Sequence, residues 1–126
     1  MAILISRIIK RERMQIKKLK KKWKTGLKNN IFIKEKFSIK LNINEQINFV
    51  TKNFNQIDNE ICKKNWGYYL TPSINKRLKN YNHKVYMLKN LEKNHFIAIV
   101  NITKILDFKK YCKAEKLKFF SITQVL

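Results

Sequence analysis

The sequence predicts an α+β fold, an antiparallel sheet with two helices on one face, preceded by a long basic N-terminal helix. Three observations predict it. Within residues 31–43, from Ile33 onward, every odd position except Glu35 is apolar and every even position polar, as a strand with one buried and one wet face must be. Ile47, Val50, Phe54, Ile57 and Ile61 then step 3, 4, 3, 4, the spacing of one helix stripe turned inward. Residues 1–30 hold eleven basic side chains against one acid, Glu12, among good helix formers.

In the N-terminal segment, Ile5, Ile9, Ile16, Leu19, Trp23 and Leu27 form a thin apolar stripe, with Gly26 as the stop signal. A helix with so narrow a seam offers a broad cationic surface to phosphate. The same segment also reads as a solvated basic tail, as an organelle-targeting segment over 1–13, or as a helix lying on an anionic membrane. In the strand that follows, Ile33, Phe37, Ile39, Leu41 and Ile43 share one face, interrupted only by Glu35. Asn44 is a favoured N-cap and Glu45 suits a first helical turn, so a helix is expected over 44–61.

Trp66, Tyr68 and Tyr69 open a short extended segment that Pro72 ends, because proline cannot donate to a sheet ladder. Lys76, Arg77 and Lys79 then cluster with Asn75, Asn80, Tyr81 and Asn82. Cations interleaved with aromatics and amides supply the phosphate contacts, stacking surfaces and edge hydrogen bonds that looped RNA needs. A polar loop over buried aromatics accounts for the same residues equally well. Residues 84–90 and 94–100 are rich in Val, Ile, Phe and Tyr about a polar turn at Leu91-Glu92-Lys93, which predicts a hairpin. Asn101 caps a second helix through Ala114, with Ile105, Phe108 and Cys112 on its stripe, and 117–126 closes as a strand. From residue 31 the order is strand, helix, short strand, hairpin, helix, strand, close to a ferredoxin-like arrangement. Two domains follow: a basic helical RNA-binding extension, 1–30, and an α+β core, 31–126.

Charge narrows the function. Twenty-nine Lys and Arg against eight Asp and Glu give a net +21 over 126 residues. Such a chain repels itself until a polyanion neutralises it, and nucleic acid is the commonest such partner. Arg occurs only at positions 7, 11, 13 and 77. Lysine point charges suit phosphate, whereas arginine forks read base edges, so the balance favours backbone binding. The expected RNA-binding set is Arg7, Lys10, Arg11, Arg13, Lys17, Lys18, Lys20, Lys21, Lys22, Lys24 and Lys28 in the extension, with Trp66, Tyr68, Lys76, Arg77, Lys79 and Tyr81 in the core.

Chemistry beyond binding finds no motif. Acids are few and scattered, so paired-carboxylate catalysis has no candidates. Cys62 and Cys112 read as core thiols on helices, fifty residues apart and without CxxC spacing. His83 and His95 belong to no ligand motif, so no metal and no cofactor is expected. Two glycines and one proline leave no Gly-rich phosphate loop, and no apolar run approaches the roughly 20 residues that span a bilayer. The chain is therefore expected not to be an enzyme.

Trp66-Gly67 followed by Leu70, Pro72, Ile74, Asn75 and Lys76 resembles the second-strand motif of the sixth protein of the bacterial small ribosomal subunit. That family has Trp-Gly, then Leu, then Pro-Ile and Lys in similar order. Here the spacing is about one residue shorter, Ser73 separates Pro72 from Ile74, and Tyr68 and Tyr69 stand where the family is usually basic. The tenth small-subunit protein is similar in element order. The resemblance implies a βαββαβ domain on ribosomal RNA beside a neighbouring ribosomal protein, with Trp66, Gly67 and Lys76 in the motif. The expectation is a structural ribosomal RNA-binding protein with no small-molecule substrate. It would sit in a ribosome, mitochondrial or otherwise organellar given the abundance of Asn, Lys and Ile that AT-rich coding produces. A basic membrane-surface or assembly factor and a non-ribosomal nucleic-acid-binding protein are the alternatives.

Overall fold

The computed structural model describes residues 14–52 and 57–122. Eight strands dominate it: β1 (Gln15–Thr25), β2 (Ile31–Lys40), β3 (Gln46–Val50), β4 (Ile57–Lys64), β5 (Gly67–Thr71), β6 (His83–Lys89), β7 (His95–Asn101) and β8 (Lys118–Ser121). Among the described residues helix is confined to a single turn, α1 (Arg77–Asn80), a 3-10 turn at Ile102–Lys104 and the ten-residue α2 (Ile105–Ala114). Strand makes up 54% and helix 17% of the described residues, in three small antiparallel sheets, so the expected ferredoxin-like α+β fold with two helices on one face is not the fold of this chain. Two compact units are present. The first takes in β1 together with Ile31–Thr71, and the second takes in Gly26–Asn30 together with the chain from Pro72 onward.

Two of the expected helices are strands. The described part of the basic N-terminal segment, expected to be helical, is β1, paired antiparallel with β2 through a turn in which Asn29 N–H donates to Gly26 C=O at 3.1 Å. Gly26 (φ 95°) and Asn29 (φ 55°) take the left-handed conformations that this reversal requires. The helix expected over 44–61 is instead β3 and β4, which pair Ile47 with Ile61. Asn44 does not cap a helix but turns the chain at φ 66°, its N–H donating to Lys63 C=O at 2.7 Å. Asparagine, Ile, Val and Phe fill this stretch, all from the weaker half of the helix scale, so cross-strand pairing prevails over a stripe with little propensity behind it.

Glu45 clasps the first unit. Its carboxylate accepts from Asn42 N–H at 2.6 Å and from Met14 N–H at 3.3 Å, and its C=O accepts from Lys63 N–H at 2.9 Å. In the same unit Asp58 is buried and accepts from the Thr51 hydroxyl.

The core lies in the second unit. Strands order β7-β6-β8, with the 84–100 hairpin turning where the sequence places it: Asn94 N–H donates to Asn90 Oδ1 at 2.9 Å. Asn101 Oδ1 accepts from Thr103 N–H at 3.0 Å, opening the helical segment that runs to Ala114. Phe108 of α2 packs on the sheet through Tyr86 and Phe119, its ring centroid 5.2 Å from each. Leu78, Val85, Tyr86, Leu88, Val100 and Cys112 are buried, Leu78 to 2% and Cys112 to 1% exposure. Burial pushes the Cys112 thiol up from its ordinary pKa, which keeps it protonated and unreactive.

Candidate nucleic-acid interface

The β1–β2 hairpin gathers charge by register. Gln15 pairs with Lys40, Lys17 with Ser38, Lys22 with Lys34 and Lys24 with Phe32. Directly opposed residues share a face, so alternation places Gln15, Lys17, Lys22, Lys24, Phe32, Lys34, Lys36, Ser38 and Lys40 on one side of the ribbon. The other side carries Ile16, Lys18, Lys21, Trp23, Thr25, Ile31, Ile33, Glu35, Phe37 and Ile39. The first face is cationic and the second mainly apolar.

A bulge makes this separation possible. Between the Lys18↔Phe37 and Lys21↔Glu35 pairs, Leu19 and Lys20 stand opposite Lys36 alone. The extra residue shifts the parity of β1, so that Ile16 and Trp23, seven apart, fall on the same face. It also brings Lys20, Lys21, Lys22, Lys34 and Lys36 around one shallow cavity of about 480 Å³ beside Glu35.

The electrostatics of the lysine face are unfavourable without a ligand. Lys22 and Lys34 are directly opposed like charges, an arrangement that destabilises a ladder. Lys22 and Lys24 stand two residues apart on one face, about 6.7 Å by strand rise. Lys24 Nζ lies 5.2 Å from the Phe32 ring centroid, and Phe32 is 70% exposed, so the face offers an aromatic surface beside its ammonium groups. Phosphate oxygens and a base face are the chemistry that such a surface accepts.

The expected site residues divide among several places. Arg7, Lys10, Arg11 and Arg13 lie outside the described residues. Lys17, Lys22 and Lys24 are on the cationic face, Lys18 and Lys21 on the apolar face, Lys20 in the bulge and Lys28 in the turn, all on extended or turn structure where a helix was expected. Trp66 sits exposed in the β4–β5 turn, its ring edge-on to Tyr69 at 6.4 Å, and the Tyr68 ring lies 4.9 Å from Lys63 Nζ. Lys76, Arg77 and Lys79 sit at and in α1, and Tyr81 follows it half-buried, its N–H donating to Arg77 C=O at 3.2 Å. Trp66 and Tyr68 belong to the first unit, where the extended segment expected before Pro72 is β5, and the α1 residues belong to the second.

Lys34, Lys36, Lys40 and Lys63 were not among the expected residues. The first three were visible as the polar half of the 31–43 alternation, which reads as a merely wet face until β1 supplies its own lysines.

Among the described residues no group of His, Cys, Asp and Glu could hold a metal ion, and no helix is long and apolar enough to cross a membrane. Comparison with known protein families, curated proteins and solved structures finds no match to this chain.

Proposed function

We propose that this chain is a structural RNA-binding protein of a ribonucleoprotein particle, with the ribosome as the assembly its composition best suits. One observation carries the reading: the lysine face of β1–β2, in which Lys22 directly opposes Lys34 and flanking lysines lie along both strands. Like charges set in register cost stability, and a polyanion laid across them offsets that cost. Lysine in place of arginine makes the contact one of backbone neutralisation with little sequence reading. The apolar reverse face, with Ile16, Trp23, Phe37 and Ile39 exposed, suits a particle in which RNA lies on one side and protein on the other. The ferredoxin-like architecture that the ribosomal resemblance implied is not part of this reading, because the fold lacks it.

Sedimentation of the native protein from gently lysed cells, with and without RNase, tests the proposal. Co-migration with ribonucleoprotein particles that RNase abolishes is the expected result. Slow sedimentation in both samples would overturn it.

The exposed apolar face favours one second reading, adsorption to an anionic lipid surface with Trp23 and Phe37 at the interface and Lys18 and Lys21 at the headgroups. Binding to anionic vesicles by the RNA-free protein, lost in Trp23→Ser/Phe37→Ser, would support that reading. Absence of vesicle binding by the RNA-free protein would remove it.

A further inference from the structure

The second unit holds a cavity whose walls are those of an anion receptor. Its volume is about 340 Å³, and Ile74, Asn75, Lys79, His83 and Lys84 line it. Lys79 comes from α1, His83 and Lys84 open β6, and Ile74 and Asn75 lie on the approach to α1. Two lysines, a histidine and an asparagine therefore line one cavity, and no carboxylate among the described residues shares the lining.

His83 adds an independent observation. Its Nδ1 is buried and has no hydrogen-bond partner. Buried polar atoms in folded proteins are nearly always paired, so an unpaired ring nitrogen on a residue that lines the cavity marks a hydrogen bond still to be made there. Beside two lysines that partner is an acceptor carrying negative charge: an oxyanion takes hydrogen bonds from imidazole N–H and ammonium groups together. The fold fixes part of this geometry. His83 and Lys84 are half-buried, and the Ile102 N–H donates to the neighbouring Asn82 C=O at 2.8 Å, tying the start of β6 to the end of β7. The volume sits at the small end of ligand pockets and accommodates a phosphate group with part of its carrier.

We propose that this cavity is a binding site for a single phosphate monoester, separate in chemistry from the hairpin, which takes a run of backbone phosphates. The proposal rests on the RNA-binding reading only for the carrier. The phosphate is either the end of an RNA strand or a free phosphate or nucleotide.

The chain's two histidines make the test internal, since His95 lies on β7 and does not line the cavity. Inorganic phosphate is titrated into the full chain at constant ionic strength, and the ring nitrogens of both histidines are followed by NMR. The expected result is a saturating shift of His83 with His95 unmoved, and a tenfold or greater weakening in Lys79→Gln and in Lys84→Gln. A still His83, or both rings drifting together without saturation, would overturn the site and leave only counterions on a basic surface. Ribooligonucleotides with 5′-phosphate and 5′-hydroxyl ends then assign the carrier. Tighter binding of the phosphorylated strand, abolished by Lys84→Gln, assigns an RNA end. Equal binding of the two strands, with His83 still saturating in inorganic phosphate, assigns a free phosphate or nucleotide. RNA affinity lost in Lys22→Gln/Lys34→Gln while His83 ignores phosphate would keep the hairpin reading and remove this one.

Discussion

The two units divide the work of stability and of charge. In the second, Leu78, Val85, Tyr86, Leu88, Val100 and Cys112 are buried, and three aromatic rings close on one another between sheet and helix. In the first, no described apolar residue is buried to that degree, and Ile16, Phe32, Phe37, Phe49, Leu70 and both tryptophans stand exposed. A two-stranded ribbon is marginal by itself in water, and one that opposes Lys22 to Lys34 is more so. The contrast is between a first unit that leaves much of its apolar and cationic surface exposed and a second whose apolar side chains close into a core.

Breaking the body gives the largest effect. Leu78→Ala removes a fully buried side chain and should cost about 2–5 kcal/mol, seen as lost hydrogen-exchange protection in β6. Protection that survives unchanged would mean the core lies elsewhere. A smaller effect should follow Glu45→Gln, which weakens the carboxylate's bonds to the Asn42 and Met14 amides by about 0.5–1.5 kcal/mol. Trp23 and Trp66, both in the first unit, report it: their fluorescence should melt at lower temperature while protection in β6 stays as it was. A parallel fall in both readouts would deny that the units respond separately. The smallest test is chemical. Half-buried Cys62 should alkylate readily in the native chain and Cys112 only on unfolding, because burial holds the latter as thiol. Equal native reactivity would contradict the packing of α2 on its sheet.

Local signals made the second unit legible in sequence. The period-two runs of β6 and β7, the turn between them and the Asn101 cap each act within a few residues, so the hairpin and the helix to Ala114 stand where the pattern puts them. β2 was legible for the same reason. β1 was not, because Ile16, Leu19 and Trp23 step by three and four as on a helix, among lysines that favour one. Only the bulge at Leu19-Lys20 lets Ile16 and Trp23 share a strand face, and a bulge is defined by its partner strand rather than by the segment itself. The 44–61 stretch misleads in the same way, since β3 and β4 pair at residues, Ile47 and Ile61 among them, whose spacing also suits a helix stripe. Basic residues were read correctly as a mass of charge, but their division into two faces needed the register.

That division is the central claim, and salt dependence tests it most directly. RNA binding by the full chain is measured across a salt series for the wild type, for Lys22→Gln/Lys34→Gln on the cationic face and for Lys18→Gln/Lys93→Gln, one lysine on the apolar face and one in the β6–β7 turn. Both variants lose the same charge. Each phosphate contact contributes about 0.7–0.9 to the slope of log affinity on log salt, so the first pair should flatten it by about 1.4–1.8 and the second should leave it nearly unchanged. Equal flattening by both pairs would show that only total charge matters and that the hairpin presents no binding face.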